Sequence, residues 1–437
     1  MMKMSKLTVS KFFALMLVFM LCFANIALAN GPIIAPNEDN PVQVAISKIL
    51  RLPIGTNTPD AKFEFHIEKI SVNDDTSPEA LASMPDLNDS NPIVHFTSTD
   101  KDTNAPVDNI MSIVKETGNI FDGANFPRAG IYIYEVTEVG FTNSAIDDAA
   151  NLNESLTYSK ALYTLRVYVA NNADMTDTFV YAVGTIVTEK DNDDQTVGSK
   201  VDATPGGDQT TYFFSQMTFT NDYVKTNGPV DPGKPDPVTE STLNVSKTVT
   251  GDLADTGLYF NFDLTLTVPI LVENVPPYYR AYVVEGNAVI NDLANNAAPG
   301  LIGTDGGGSY IRIATSGITG ISLKHGQRLV FVDTPVGTSY TVEEASAADY
   351  TPSVTVTTDF DDIVTIPGVV NTALNTGTRF VGERANSADF TNNRTSVVPT
   401  GININDLPFI GLIALPIVAL IGFIAIKTRK RNRASYK

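Results

Sequence analysis

Short runs that alternate apolar and polar residues with a period of two, punctuated by Gly, Pro, Asn and Asp clusters, decide the fold class of this 437-residue chain. Phe63-Glu64-Phe65-His66-Ile67, Ile131-Tyr132-Ile133-Tyr134, Tyr163-Thr164-Leu165-Arg166-Val167-Tyr168-Val169 and Phe260-Asn261-Phe262-Asp263-Leu264-Thr265-Leu266 are typical. Side chains two apart point to the same side of a strand, so each run has one greasy and one wet face. That pattern belongs to antiparallel sheets packed as sandwiches. Only Pro78 to Met84 and Ala145 to Leu152 invite a helical turn or two, inside loops. The segment from Thr226 to Pro237 holds four prolines, which favour an extended, semi-rigid spacer. The expectation is an all-β chain with two sandwich domains at 41–224 and 241–395, joined by a linker at 225–240.

The two ends carry different signals. Lys3, Lys6 and Lys11 precede an apolar stretch from Phe12 to Phe23 and then Ala27-Leu28-Ala29, which is the layout of a secretory signal peptide over 1–29. Cys22 is the single cysteine and falls inside that segment. A lipoprotein reading needs a small residue before the cysteine, and Leu21 is not one. At the other end an uncharged apolar run spans 407–426, long enough for a membrane-crossing helix, with Lys427, Arg429, Lys430, Arg431 and Arg433 behind it. Val397-Val398-Pro399-Thr400-Gly401 stands just ahead of the run. Residues 396–437 thereby resemble the cell-wall sorting signal of Gram-positive surface proteins. The resemblance implies sortase cleavage between Thr400 and Gly401, with Pro399 in the recognised motif, and transfer of the Thr400 carbonyl to an amine. An ordinary single-pass anchor with a chance Pro-Thr-Gly is the alternative.

Between these ends the chain has no cysteine, and 21 basic against 48 acidic residues leave it a net charge of −27. Such a surface repels nucleic acid and anionic lipid, and an exported chain without disulfides needs another staple. Conventional enzyme chemistry is not expected. His66, His95 and His325 are scattered without metal spacing, and there is no nucleophile elbow, phosphate loop or cysteine nucleophile. Asp191-Asn192-Asp193-Asp194 lacks a full calcium loop and reads as a solvated turn. No cofactor or metal is implied.

The halves share a weak repeat. Each opens with an apolar strand interrupted by lysine, Val44 to Leu50 around Lys48 and Leu243 to Val249 around Lys247. Each then has Tyr-x-Val-x-Glu, ending at Glu138 and Glu344, and each closes with Phe-Thr-Asn, ending at Asn221 and Asn392. Strand parity puts all six polar groups on the core face, and Glu135, Glu343 and Asn393 on the wet face. Burial pushes an amine toward its neutral, nucleophilic form and a carboxyl toward its protonated form. A carboxamide within reach can then be attacked, with loss of ammonia, to leave an amide between two side chains. A hydrogen-bonded ion pair beside a structural Asn is the competing reading.

This ordered set of residues resembles the intramolecular isopeptide domains of Gram-positive pilins and adhesins, the collagen-adhesin B-type and T-antigen major-pilin families. Leu323-Lys324-His325-Gly326-Gln327, leading into Pro335-Val336-Gly337-Thr338-Ser339-Tyr340, adds to the likeness, and Tyr350 follows Glu344 with Asp349 where the family has Gly. The resemblance covers nearly the whole chain and implies Ig-like sandwiches, a Lys48–Asn221 bond assisted by Glu138, and a Lys247–Asn392 bond assisted by Glu344. It also implies a wall-anchored or pilus-borne extracellular protein whose partners are sortase and either neighbouring pilin subunits or peptidoglycan, joined through Thr400. The usual Tyr-Pro-Lys-Asn pilin motif is absent. T-antigen-like pilins use a lysine in a loop before the last strand of the N-terminal domain, where Lys200 stands here, with Lys190 and Lys225 as competitors. A monomeric adhesin or stalk that binds a host ligand through loops such as Asp86 to Ala105 is the alternative function.

Overall fold

The computed structural model describes residues 36–87, 92–139, 146, 153–191, 196–201, 213–227, 242–358, 362–395 and 407–434. The signal segment, the sorting motif at Pro399, Thr400 and Gly401, most of the linker and nearly all of 145–152 lie outside them. The chain divides after Lys225 into two compact units. Both are all-β, as the alternation predicts.

The first unit contains β1 Gln43–Pro53, β2 Ala61–Val72, β3 Ile93–Phe96, β4 Ile110–Glu116, β5 Gly130–Val139, β6 Glu154–Thr157, β7 Leu162–Asn171, β8 Thr178–Glu189, β9 Lys200–Val201 and β10 Phe213–Lys225. They make a four-stranded sheet, β4-β1-β10-β6, and a six-stranded sheet, β3-β2-β5-β7-β8-β9. Ile46, Leu50 and Phe219 from the first sheet share one core with Phe65, Tyr134 and Leu165 from the second, so the unit is a sandwich. The alternation in β2 is the cause: Phe63, Phe65 and Ile67 are buried while Lys62, His66 and Glu68 face solvent. Helix α1, Pro78–Ala82, is the one turn foreseen at Pro78 to Met84, started by Ser77, whose side chain accepts from the Ala80 amide at 3.3 Å. The stretch from Asp86 to Ala105 is not only loop, because β3 lies within it and pairs with β2.

The second unit contains β11 Leu243–Thr250, β12 Phe260–Thr267, β13 Tyr278–Glu285, β14 Ala288–Val289, β15 Ile302–Asp305, β16 Gly308–Ala314, β17 Ile318–Leu323, β18 Gln327–Phe331, β19 Ser339–Glu344, β20 Thr351–Thr358, β21 Asp362–Pro367, β22 Leu374–Asn375, β23 Arg379–Phe380 and β24 Asn386–Asn393. One sheet runs β15-β16-β13-β18-β11-β24-β20-β21 with β14 on β13; the other runs β17-β12-β19-β22 with β23 on β19. Val245, Leu329 and Phe390 meet Phe262, Leu264 and Val342 in a single core.

One pairing is common to both units and places the chemistry. The first strand lies beside the last, and the two are parallel: β1 against β10 and β11 against β24. Every other strand pair among the described residues is antiparallel. Parallel neighbours cannot be joined by a tight turn, so here the whole of each domain serves as the crossover.

The C-terminal apolar run lies in helix α2, Leu407–Ala434. Among the described residues no helix is long and apolar enough to cross a membrane. Side chains of α2 are described only over 413–429, so the span read at 407–426 extends beyond them.

Candidate functional site

Strand register brings each predicted triad together. In the first unit Lys48 is level with Phe219 and Leu50 with Asn221. In the second, Lys247 is level with Phe390 and Val249 with Asn392. The lysine and the asparagine therefore stand one pleat apart on neighbouring strands, with side chains on the same face. The glutamate arrives from the opposite sheet, where Glu138 is level with Phe65 across β5 and β2, and Glu344 with Phe262 across β19 and β12. The register is the same in both units, although Glu and Asn are 83 positions apart in one and 48 in the other.

All six groups are sealed from water. Lys48 and Asn221 are 0 % exposed, Lys247, Glu344 and Asn392 1 %, and the Glu138 side chain 0 %. Glu343 and Asn393 are exposed and Glu135 is half-buried, as strand parity predicts.

In the first unit Lys48 Nζ donates to Glu138 Oε2 at 2.7 Å and lies 2.5 Å from Asn221 Oδ1, while Asn221 Nδ2 donates to Glu138 Oε1 at 2.7 Å. The carboxyl thus bridges the amine and the carboxamide nitrogen, with one oxygen on each. In the second unit a single oxygen, Glu344 Oε1, sits 2.8 Å from both Lys247 Nζ and Asn392 Nδ2. The Lys247 approach is that of an ion pair without hydrogen-bond alignment. Lys247 Nζ, Glu344 Oε2 and Asn392 Oδ1 consequently have no hydrogen-bond partner among the described residues. Orphaned polar atoms of this kind are rare in folded cores and cost about 1–3 kcal/mol each.

Electrostatics follow from the burial. Loss of solvation brings Lys48 down to about 8, against the pull of Glu138 in the other direction. It brings Lys247 down to about 8 against the same opposition from Glu344. Desolvation raises Glu138 and Glu344, again outweighing their lysines. Each pair is driven toward a neutral amine beside a protonated carboxyl.

Aromatic residues build the dry pocket, and the sequence reading did not assign them to the site. Lys48 Nζ lies 4.6 Å from the Phe63 ring centre and Lys247 Nζ 4.3 Å from that of Phe260. Two residues on, Phe65 packs on Phe219 at 5.0 Å and Phe262 on Phe390 at 5.2 Å. A Phe-x-Phe in the second strand of each unit is therefore a further part of the repeat. Tyr350 closes the second pocket against Phe260 at 5.3 Å, and Asp349 before it takes φ +66°, the left-handed conformation that glycine adopts most readily.

Other singled-out residues fall elsewhere. Lys200 is exposed, in a two-residue edge strand on β8 and not in a loop. Lys190 is exposed, and Lys225 is half-buried with Glu154 3.7 Å away. His95 is 2.5 Å from Asp60, and His325 Nδ1 accepts from the Val249 amide at 3.0 Å. Among the described residues no group of three or more His, Cys, Asp or Glu side chains is placed to hold a metal ion.

Residues 241–394 match a family described as a domain of unknown function, DUF7601. Among solved structures, the chain is similar to a major pilin from Streptococcus pyogenes, at 20 % identity over 82 % of this chain and 100 % of that one, TM-score 0.32. It is also similar to the T3.2 major pilin of the same organism, at 18 % identity over 80 % and 97 %, TM-score 0.27. A pilus-presented adhesin matches at 18 % identity over 54 % of this chain and 37 % of that one, TM-score 0.23. No curated protein sequence matches.

Proposed function

We propose that this chain is a sortase-processed structural protein of the bacterial surface, a pilus shaft subunit, whose two units cross-link themselves through Lys48–Asn221 and Lys247–Asn392. The observation that carries the reading is the duplicate triad. Two units of unequal length hold an amine, a carboxyl and a carboxamide in contact, at the same register, where water does not reach.

The chemistry balances without a cofactor. A proton passes from the lysine ammonium to the glutamate, leaving a neutral amine and a protonated carboxyl. The amine attacks Cγ of the asparagine and forms the new N–C bond. The carboxyl gives its proton to Nδ2 and the resulting carboxylate takes one from the attacking nitrogen. The Cγ–Nδ2 bond breaks, ammonia leaves, and an amide remains. Folding supplies the proximity, and no turnover is involved. For the second unit the reaction also removes a buried Lys247–Glu344 contact that lacks hydrogen-bond alignment.

The bonds join the first strand to the last, so tension along the chain passes through covalent links. The surface setting rests on the signal segment and on Pro399, Thr400, Gly401, the apolar run and the basic tail. Polymerisation requires an acceptor amine on a neighbouring subunit, and Lys200 is the candidate by exposure and position. Intact mass of residues 30–395, made without sortase, tests the cross-links: each bond removes about 17 Da. An undiminished mass refutes them. Laddering of the wall-released protein on a denaturing gel tests the shaft role, and a single band would point to a monomeric adhesin or stalk.

A further inference from the structure

Besides the way the glutamate oxygens are shared, the two sites differ at the carboxamide oxygen. Asn221 Oδ1 accepts a hydrogen bond from the backbone amide of Ser159 at 2.7 Å. Asn392 Oδ1 has no partner among the described residues. That oxygen takes the negative charge when an amine adds to Cγ, so a fixed amide donor on it stabilises the tetrahedral state more than the resting one.

The Ser159 amide is held by a side chain outside the triad. Asp191 Oδ1 accepts from Ser159 Oγ at 2.6 Å, from the Lys160 amide at 2.7 Å and from the Ala161 amide at 2.9 Å. Asp191 Oδ2 accepts from the Thr220 amide at 2.9 Å. Thr220 immediately precedes Asn221 on β10. One carboxylate therefore ties the turn that carries the donor to the strand that carries the acceptor. The sequence offers this aspartate as the start of a solvated acidic turn, yet its oxygens are committed to four protein donors.

We propose that the Ser159 backbone N–H is an oxyanion donor for closure of the Lys48–Asn221 bond, that Asp191 is the positioning residue for it, and that the second unit closes its bond without such a donor and more slowly. The inference rests on the cross-linking reading above. Asp191 works through the turn: it fixes where the amide points and leaves proton transfer to Glu138.

The test follows both bonds within the same molecules. The full chain is pulse-labelled in a host without sortases, and the two linked tryptic peptides are quantified against time. In the wild type the Lys48–Asn221 peptide should appear first. Asp191→Ala should slow it at least about tenfold, a modest part of the effect of deleting an oxyanion donor outright, and leave the Lys247–Asn392 rate unchanged. Asp191→Asn keeps an oxygen for the 159–161 turn but gives up the Thr220 link, so it should slow the bond less than Asp191→Ala does. A wild-type rate for Asp191→Ala would overturn the proposal, as would equal slowing by the Ala and Asn variants, which would point to charge in place of positioning. Thermal unfolding in a Lys48→Ala background, where no first bond can form, separates positioning from stability. There Asp191→Ala should shift the first unit by no more than a few degrees, and a large drop would make its rate effect structural and overturn the assignment. If neither linked peptide forms in the wild type, the cross-linking reading itself fails and takes this inference with it.

Discussion

Replacing Lys247 by Met removes the amine of the proposed second cross-link while keeping a flexible apolar stem of similar length in a pocket lined by Phe260 and Phe262. The cross-linked parent has no Lys247–Glu344 ion pair to lose, and burial raises Glu344 toward its protonated form, so the variant leaves no uncompensated charge in the pocket. Glu344 keeps its partner in Asn392, 2.8 Å away. What remains is loop closure. Residues 247 and 392 are 145 positions apart, and tying them together restricts the unfolded chain by about 5 kcal/mol on the chain-entropy relation established for disulfides. For a unit of this size each kcal/mol moves the midpoint by about 2–4 °C, so Lys247→Met should unfold the second unit about 10–20 °C lower. Scanning calorimetry of residues 30–395 reads this directly. The first unit's transition serves as internal reference, and intact mass confirms that one bond, not two, is present. A drop under about 5 °C, in a variant whose parent carries both mass deficits, would refute the loop-closure argument.

Three further outcomes follow from the same geometry. Glu138→Gln and Glu344→Gln keep shape but remove the proton carrier, so each should restore about 17 Da to the mass of its unit while leaving the β signature in circular dichroism intact. The reactive microstate, neutral amine with protonated carboxyl, carries the same number of protons as the ion pair. Its share is therefore flat between the pair's two apparent pKa values and falls outside them. With both lysines lowered to about 8, refolding followed by mass should show bond formation failing as pH rises through about 8, and a limb above about 10 would contradict the burial argument. Gly251 takes φ +106°, and a Cβ there would run into the Arg394 backbone, so Gly251→Ala should cost the second unit about 2–4 kcal/mol in urea unfolding.

Much of the site was legible because strand parity is a strong constraint. A lysine, a glutamate and an asparagine each two residues from buried apolar neighbours have one face to occupy, and all six groups occupy it. The unequal Glu-to-Asn spacing made the first triad the weaker alignment in sequence, yet register is indifferent to the length of chain between strands. Phe63 and Phe260 were legible only as core residues for the opposite reason: in an alternating run, a ring that walls a buried amine looks like any core ring. Ser159 was beyond reach, since its contribution is a backbone amide, and every residue but proline has one. Asp191 was visible only as charge in a polar turn, and nothing local signals that its four donors come from residues about thirty positions away on either side. Lys200 was placed in a loop because two residues are too few to show alternation.

Parallel first and last strands have a consequence for length. In each unit the chain comes in at one end of the sandwich and goes out at the other, and with the cross-link in place the stretched path crosses over at Lys48–Asn221. Residues 49–220 are then a closed side branch. Unravelled, that branch would add on the order of 600 Å of contour, at about 3.3–3.6 Å per residue, and the bond withholds all of it. The same holds for residues 248–391 in the second unit. Units cross-linked in this way would be nearly inextensible whatever the side branch contains. Insertions, deletions and surface change in the side branch leave the tensile path untouched, so the 83-residue and 48-residue spacings are mechanically equivalent.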